Sequence, residues 1–264
     1  MNKVLSIFAG LVSTLVPLSA QWLNYPTPGI PRLPDGKANL SAPVPKTADG
    51  KPDLSGIWQL REPMDFFGPF TSHFMNLALD LKPQEAPLQP WAKALSEQRK
   101  DNNHKDDPLA SCLPAGTPRI ETISPFKIIQ TPPELVMLFE TTANSTFRQI
   151  FTDGRPLPTD PQPTWLGYSV GKWEGDMLKV DTVGFTDKGW LDTGIGLPQT
   201  EALHVTERFR RTDFGHMEIG ITIDDPKAYT KPWSATLKVN LVPDTEIIET
   251  TCENAVDSKH MVGK

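Results

Sequence analysis

The stretch Leu203–Ile223, LHVTERFRRTDFGHMEIGITI, alternates apolar and polar residues with a period of two, first along one segment and then along a second. Leu203, Val205 and Phe209 alternate with His204, Thr206, Arg208 and Arg210. Met217, Ile219, Ile221 and Ile223 alternate with His216, Glu218 and Thr222. This period predicts two half-buried antiparallel strands whose odd positions face a core. Same-face pairing requires an odd loop, which Asp213-Phe214-Gly215 supplies, with Gly215 expected at positive φ. The register then sets Thr212 opposite His216, Phe209 opposite Ile219 and Glu207 opposite Ile221, and a slip of one residue exposes every isoleucine. Glu207 falls on the apolar face, where a carboxylate is costly unless it is paired or protonated.

The rest of the chain from Phe126 onward also reads as β. Expected strands run over 126–130, 135–140, 147–151, 166–173, 177–185, 234–241 and 245–252, most of them separated by short turns. An earlier strand opens at Leu54–Trp58. Successive strands with short loops predict an all-β fold, an antiparallel up-and-down barrel or strongly curved sheet, occupying 53–264 as one domain. Pro90 followed by good helix formers to Lys100 predicts a helical insertion at about 83–101. Residues 21–52 are rich in Pro and Gly, with two DGK turns, and predict an extended arm that wraps the domain or stays mobile. The connections 186–200 and 224–232 are the expected rims of an opening.

The first twenty residues change the picture of where the protein works. Lys3, the apolar run Val4–Val16 and Leu18-Ser19-Ala20 have the form of a secretion signal, too short to span a membrane comfortably. A secreted or periplasmic, soluble mature chain from Gln21 is expected. With 26 basic and 32 acidic residues the net charge is −6, against a nucleic-acid partner. Cys112 and Cys252 are the two cysteines, and an oxidising compartment favours a disulfide between them over two buried thiols.

Candidate chemistry centres on Glu207. It is the candidate general acid or base, and Arg119 and Arg155, each beside a proline in a tight loop, are expected to pair either with Glu207 or with a substrate carboxylate. Asp153 reads as a turn residue, and Glu249 as a weaker second carboxylate. Trp165, Tyr168, Trp190, Tyr229 and Trp233 concentrate at the expected rims, where they either hold a ligand or plug the barrel end. His204 and His216 lie too far apart along the hairpin for a shared metal, and no metal-ligand spacing occurs elsewhere. Gly167-Tyr168-Ser169-Val170-Gly171 has the letters of a nucleophile elbow but sits within a strand. No phosphate-binding glycine loop is present, so no cofactor is expected.

Gly56-Ile57-Trp58 is similar to the G-x-W signature of lipocalins and other calycins. That resemblance implies a Trp closing one barrel end beneath a basic residue from a late strand. The segments TADGKPDLSGIW, SCLPAGTPR, FTDGRPLPTDPQPTWLGYSVGKWEGD and LHVTERFRRTDFGHMEIGITIDDPKAYTKPW resemble a large family of secreted, mostly uncharacterised bacterial proteins. The resemblance covers nearly all of the mature chain and implies no catalytic residue. Two functions follow as expectations. One is a barrel that binds a small cyclic, phenolic or carbohydrate-like ligand. The other is a lyase, isomerase or hydrolase using Glu207 on such a molecule.

Overall fold

The computed structural model describes residues 26–62, 72–81, 86–141, 146–250 and 252. The expected secretion signal, residues 1–20, lies outside them. Nine strands among the described residues close into one barrel in sequence order: β1 (Gly56–Leu60), β2 (Phe126–Gln130), β3 (Glu134–Phe139), β4 (Thr146–Phe151), β5 (Tyr168–Glu174), β6 (Met177–Val183), β7 (His204–Arg211), β8 (His216–Asp224) and β9 (Trp233–Leu241).

The hairpin β7–β8 has the expected register, with Glu207 opposite Ile221 and Phe209 opposite Ile219. Met217, Ile219, Ile221 and Ile223 all point inward and are buried. Burying each stabilises the fold by roughly 1.5–3 kcal/mol, so the pattern that defines the strand also fills the barrel. Gly215, however, is not at positive φ. A Cβ there would collide with Leu40 of the N-terminal arm, whose carbonyl accepts from Gly215 N at 2.7 Å. Close approach of the arm, not turn geometry, requires this glycine.

Two expectations need correction. β4 and β5 pair in parallel, Ile150 opposite Ser169, so the barrel is not up-and-down throughout. The Pro-rich connection 152–167 is long enough to carry the chain back along the barrel before β5 begins. The segment 245–250 forms no strand, and the chain leaves the sheet after Leu241.

The arm wraps the barrel. Its DGK turns are alike, Leu33 N donating to Lys37 O and Thr47 N to Lys51 O, both at 2.8 Å. Arg32 clamps Asp244 after β9, at 2.7 Å from Nη1 to Oδ2. Helix α1 (Pro90–Asp101) starts on its proline and packs on the connection after β6 through Ser96 Oγ, which donates to Ile195 O at 2.6 Å. Trp58 is fully buried at one barrel end, with Arg211 of β7 standing 4.9 Å over its ring. Gly56 beside it is at φ +138°, and a Cβ would lie 2.5 Å from Leu241 Cδ1.

Candidate functional site

β7 holds Glu207 on its inward face, between Val205 and Phe209, with no exposed surface. Its partner is Arg148, from β4, a strand in which Arg148 and Ile150 point inward while Phe147 and Gln149 point out. Arg148 Nη1 donates to Glu207 Oε1 at 3.1 Å, and Nη2 donates to Glu207 Oε2. Nη1 also reaches Glu121 Oε1 at 2.8 Å, Nη2 reaches Thr182 Oγ1 at 2.9 Å, and Nε reaches Ser169 Oγ at 3.0 Å. Five N–H groups are all a guanidinium has, and all five are used.

The charge balance follows from the same geometry. Burial pulls the Arg148 guanidinium down in pKa, but the two carboxyl groups more than reverse this, so it stays charged. Burial, then the neighbouring Glu207 carboxylate, push the Glu121 carboxyl well above its usual range. The cluster therefore sets one cation between two carboxyl groups, of which Glu121 is pushed toward its neutral form. Glu121 Oε2 has no hydrogen-bond partner among the described residues.

The expected partners of Glu207 are elsewhere. Arg119 is fully buried but forks onto Asp107, at 3.0 and 2.6 Å, and donates to Thr193. Arg155 is exposed, bonded to Asp153 and to Tyr168 Oη at 3.0 Å, and lies 3.8 Å over the Phe151 ring. Tight loops hold both arginines, as their prolines suggest, but near local acids. Glu249 is exposed, beyond the last strand.

Three of the five aromatic candidates are plugs. Trp190, Tyr229 and Trp233 are each at most 5% exposed. Tyr229 packs edge-on against Trp233 and donates to Pro198 O at 2.7 Å, while Arg99 covers Trp190 at 4.0 Å. Trp165 and Tyr168 are half-buried, Tyr168 against Phe151. Ser169, in the elbow-like letters, is buried and serves Arg148. His204 bonds Asp181 at 3.1 Å and His216 bonds Asp213 at 2.6 Å. Cys112 and Cys252 form a disulfide.

Neither Glu207 nor Arg148 lines any of three surface cavities. One, of about 300 Å³, lies between α1 and the connection after β6, beside Trp91 and Arg99. A second, of about 460 Å³, lies under the Pro-rich loop 158–163. The third, of about 330 Å³, is roofed by the arm at Thr27–Ile30 and floored by the Trp58 end of the barrel. Ile30, Ile57, Phe214 and Leu241 give it apolar walls, and Arg211, Lys127 and Asp53 give it charge.

Arg211 is 5% exposed and stacks between Trp58 and Phe214, 4.9 Å from each ring. Its acceptors are carbonyl oxygens only: Asp213 O at 3.2 Å, Phe214 O and Asp53 O. Burial lowers its pKa to about 10, against the pull of Asp53 and Asp213. The alternation contained the signal for Arg211 as for Glu207, since both share the odd face. Arg148 shares the parity of Ile150, but Phe147 and Phe151 mark the opposite face equally well. Glu121 lies in a short 3-10 turn, Arg119–Thr122, where no periodicity points to it.

These features define a closed β-barrel with a side-chain-filled interior, a buried ionic cluster and cavities at its flanks. No protein-family model matches the chain, and no curated protein matches it.

Proposed function

We propose that this is a secreted or periplasmic small-molecule-binding barrel, and that its ligand lies in the cavity between the Pro-rich arm and the Trp58 end. The carrying observation is that cavity. It combines apolar walls with a few charged groups, and its volume falls within the range of small-molecule sites. A small cyclic or phenolic body suits such walls. The leading apolar segment and the disulfide support an oxidising compartment. The resemblance to secreted bacterial proteins agrees with it.

The alternative, catalysis by Glu207, has less support. Both Glu207 oxygens are committed to Arg148, and no exposed surface leads to them. A general base needs to reach the proton it removes, directly or through one water. The geometry favours a structural cluster.

The test is titration with a neutral naphthylamine fluorophore. Saturable binding to one site is expected. Ile30→Asp, which places a carboxylate in the cavity wall from the arm and alters no strand of the barrel, is expected to weaken it about tenfold or more. Absence of saturable binding, or binding indifferent to Ile30→Asp, would reject the cavity as the ligand site.

A further inference from the structure

We infer that the ligand of the arm cavity carries a single negative charge, a carboxylate in the first place, received by Arg211 and Lys127. The inference rests on the cavity being the ligand site and adds the chemistry of what enters it.

A buried arginine ordinarily has a carboxylate partner, because an unpaired charge away from water is costly. The other two buried arginines follow that rule, Arg119 with Asp107 and Arg148 with Glu207. Arg211 does not. Among the described residues it makes no ion pair, and its acceptors are three backbone carbonyls. Nη1 bonds only Asp53 O and Nη2 only Phe214 O. Each terminal nitrogen carries two N–H groups, so one on each is left over.

The nearby acids are engaged. Asp53 Oδ1 accepts from Ser55 N at 2.8 Å, and Asp213 Oδ1 accepts from Gly215 N and faces His216 Nδ1. Lys127, half-buried on β2, lines the same cavity and makes no ion pair among the described residues. The lining thus carries two cations against one acid. A planar carboxylate matches the spare donors of a guanidinium, and the apolar walls take the ligand body. Carbonyls and ring faces alone are a weaker counterweight to a cation than an anion is.

The experiment compares 2-naphthoate with 2-naphthamide, equal in shape and different in charge, by calorimetry on the full chain at neutral pH. The carboxylate is expected to bind roughly tenfold tighter, as charge-assisted hydrogen bonds exceed neutral ones. Lys127→Glu is expected to abolish that preference while leaving the fold intact, since Lys127 makes no ion pair among the described residues. Arg211 side-chain N–H resonances should move with naphthoate and not with naphthamide, a readout that needs no Arg211 variant. Equal binding of acid and amide, or a preference untouched by Lys127→Glu, overturns the inference. If the neutral fluorophore binds but naphthoate neither binds nor displaces it, the anion fails and the cavity stands. If nothing binds, the cavity reading itself has failed.

Discussion

Arg148 and Glu207 face each other across the inside of the barrel through two hydrogen bonds, although β5 and β6 separate their strands around the wall. The pair thus ties opposite parts of the sheet together through the core, and Glu121 adds the short turn before β2.

The three members should differ in what their loss costs. Arg148→Met strands a buried carboxylate and is expected to destabilise by about 3–5 kcal/mol. Glu207→Gln keeps an acceptor for Arg148 and lets Glu121 ionise to balance it, for about 1–3 kcal/mol. Glu121→Gln replaces a carboxyl that burial and Glu207 already push toward its neutral form, and should cost least. Urea unfolding of the three variants checks the order. A Glu121→Gln loss as large as that of Arg148→Met would contradict the charge assignment.

The same cluster marks where sequence reasoning stops. Alternation in 203–223 specifies strand, register and the buried position of Glu207, because a period of two leaves one choice of face. It says nothing of which residue arrives from across the barrel. That depends on closure of the sheet, and closure depends on the parallel β4–β5 pairing, which the Pro-rich loop does not announce. Arg119 and Arg155 fit the chemistry by residue type, but each is held by an acid near it in sequence, Asp107 and Asp153, and neither pairs with Glu207. Trp165, Trp190 and Tyr229 lie in connections, whereas Tyr168 and Trp233 open β5 and β9, and a connection folded over a barrel end hides its rings. The arm cavity was illegible, because an extended Pro-rich segment carries no periodicity to say which surface it covers.

Asp192 should give the protein a pH dependence of its own. Burial raises its pKa to about 6 from 3.8, although Ile195 N and Ala78 N donate to it. A carboxyl raised in the folded state contributes stability that is fully present below pH 3.8 and is lost as pH rises through about 6. The loss is roughly 3 kcal/mol at most. Asp192→Asn, which cannot ionise, should therefore gain stability relative to the parent as pH rises across that window. Parallel stability curves for the two proteins would contradict this.

The disulfide closes a segment of 140 residues, from Cys112 after a 3-10 turn to Cys252 in the strandless tail. Between Leu241 and Cys252 the tail is tied by Ile248 N to Glu140 Oε2 at 3.1 Å and by Thr250 to Thr141 O. In the chain-entropy picture a loop of this length is worth roughly 5 kcal/mol, and native bridges typically give about 2–5. Paired Cys112→Ser and Cys252→Ser substitutions should lower the melting temperature and raise hydrogen exchange in the tail. Unchanged exchange there would mean that the remaining bonds hold it.

Asp244 is the latch of the arm. It accepts from both terminal nitrogens of Arg32, at 2.7 and 2.5 Å, and from Thr27 N at 2.7 Å. The hydrogen-bonded Arg32 holds its carboxyl down at about 2. A depressed carboxyl contributes stability present above pH 3.8 and lost as pH falls through about 2, so the latch stays closed at neutral pH. Asp244 also sits at φ 57°, a conformation asparagine tolerates well. Asp244→Asn therefore removes the charge without straining the backbone. Thr27–Ile30 roof the cavity and Val242 and Thr245 flank the latch, so arm and ligand should respond together. Hydrogen exchange over 27–32 should rise while β7 and β8 stay protected, and fluorophore affinity should fall several-fold. A loosened arm with unchanged affinity would place the ligand outside the cavity, and an arm still protected would show that its contacts at Leu40 and Ala42 hold it alone.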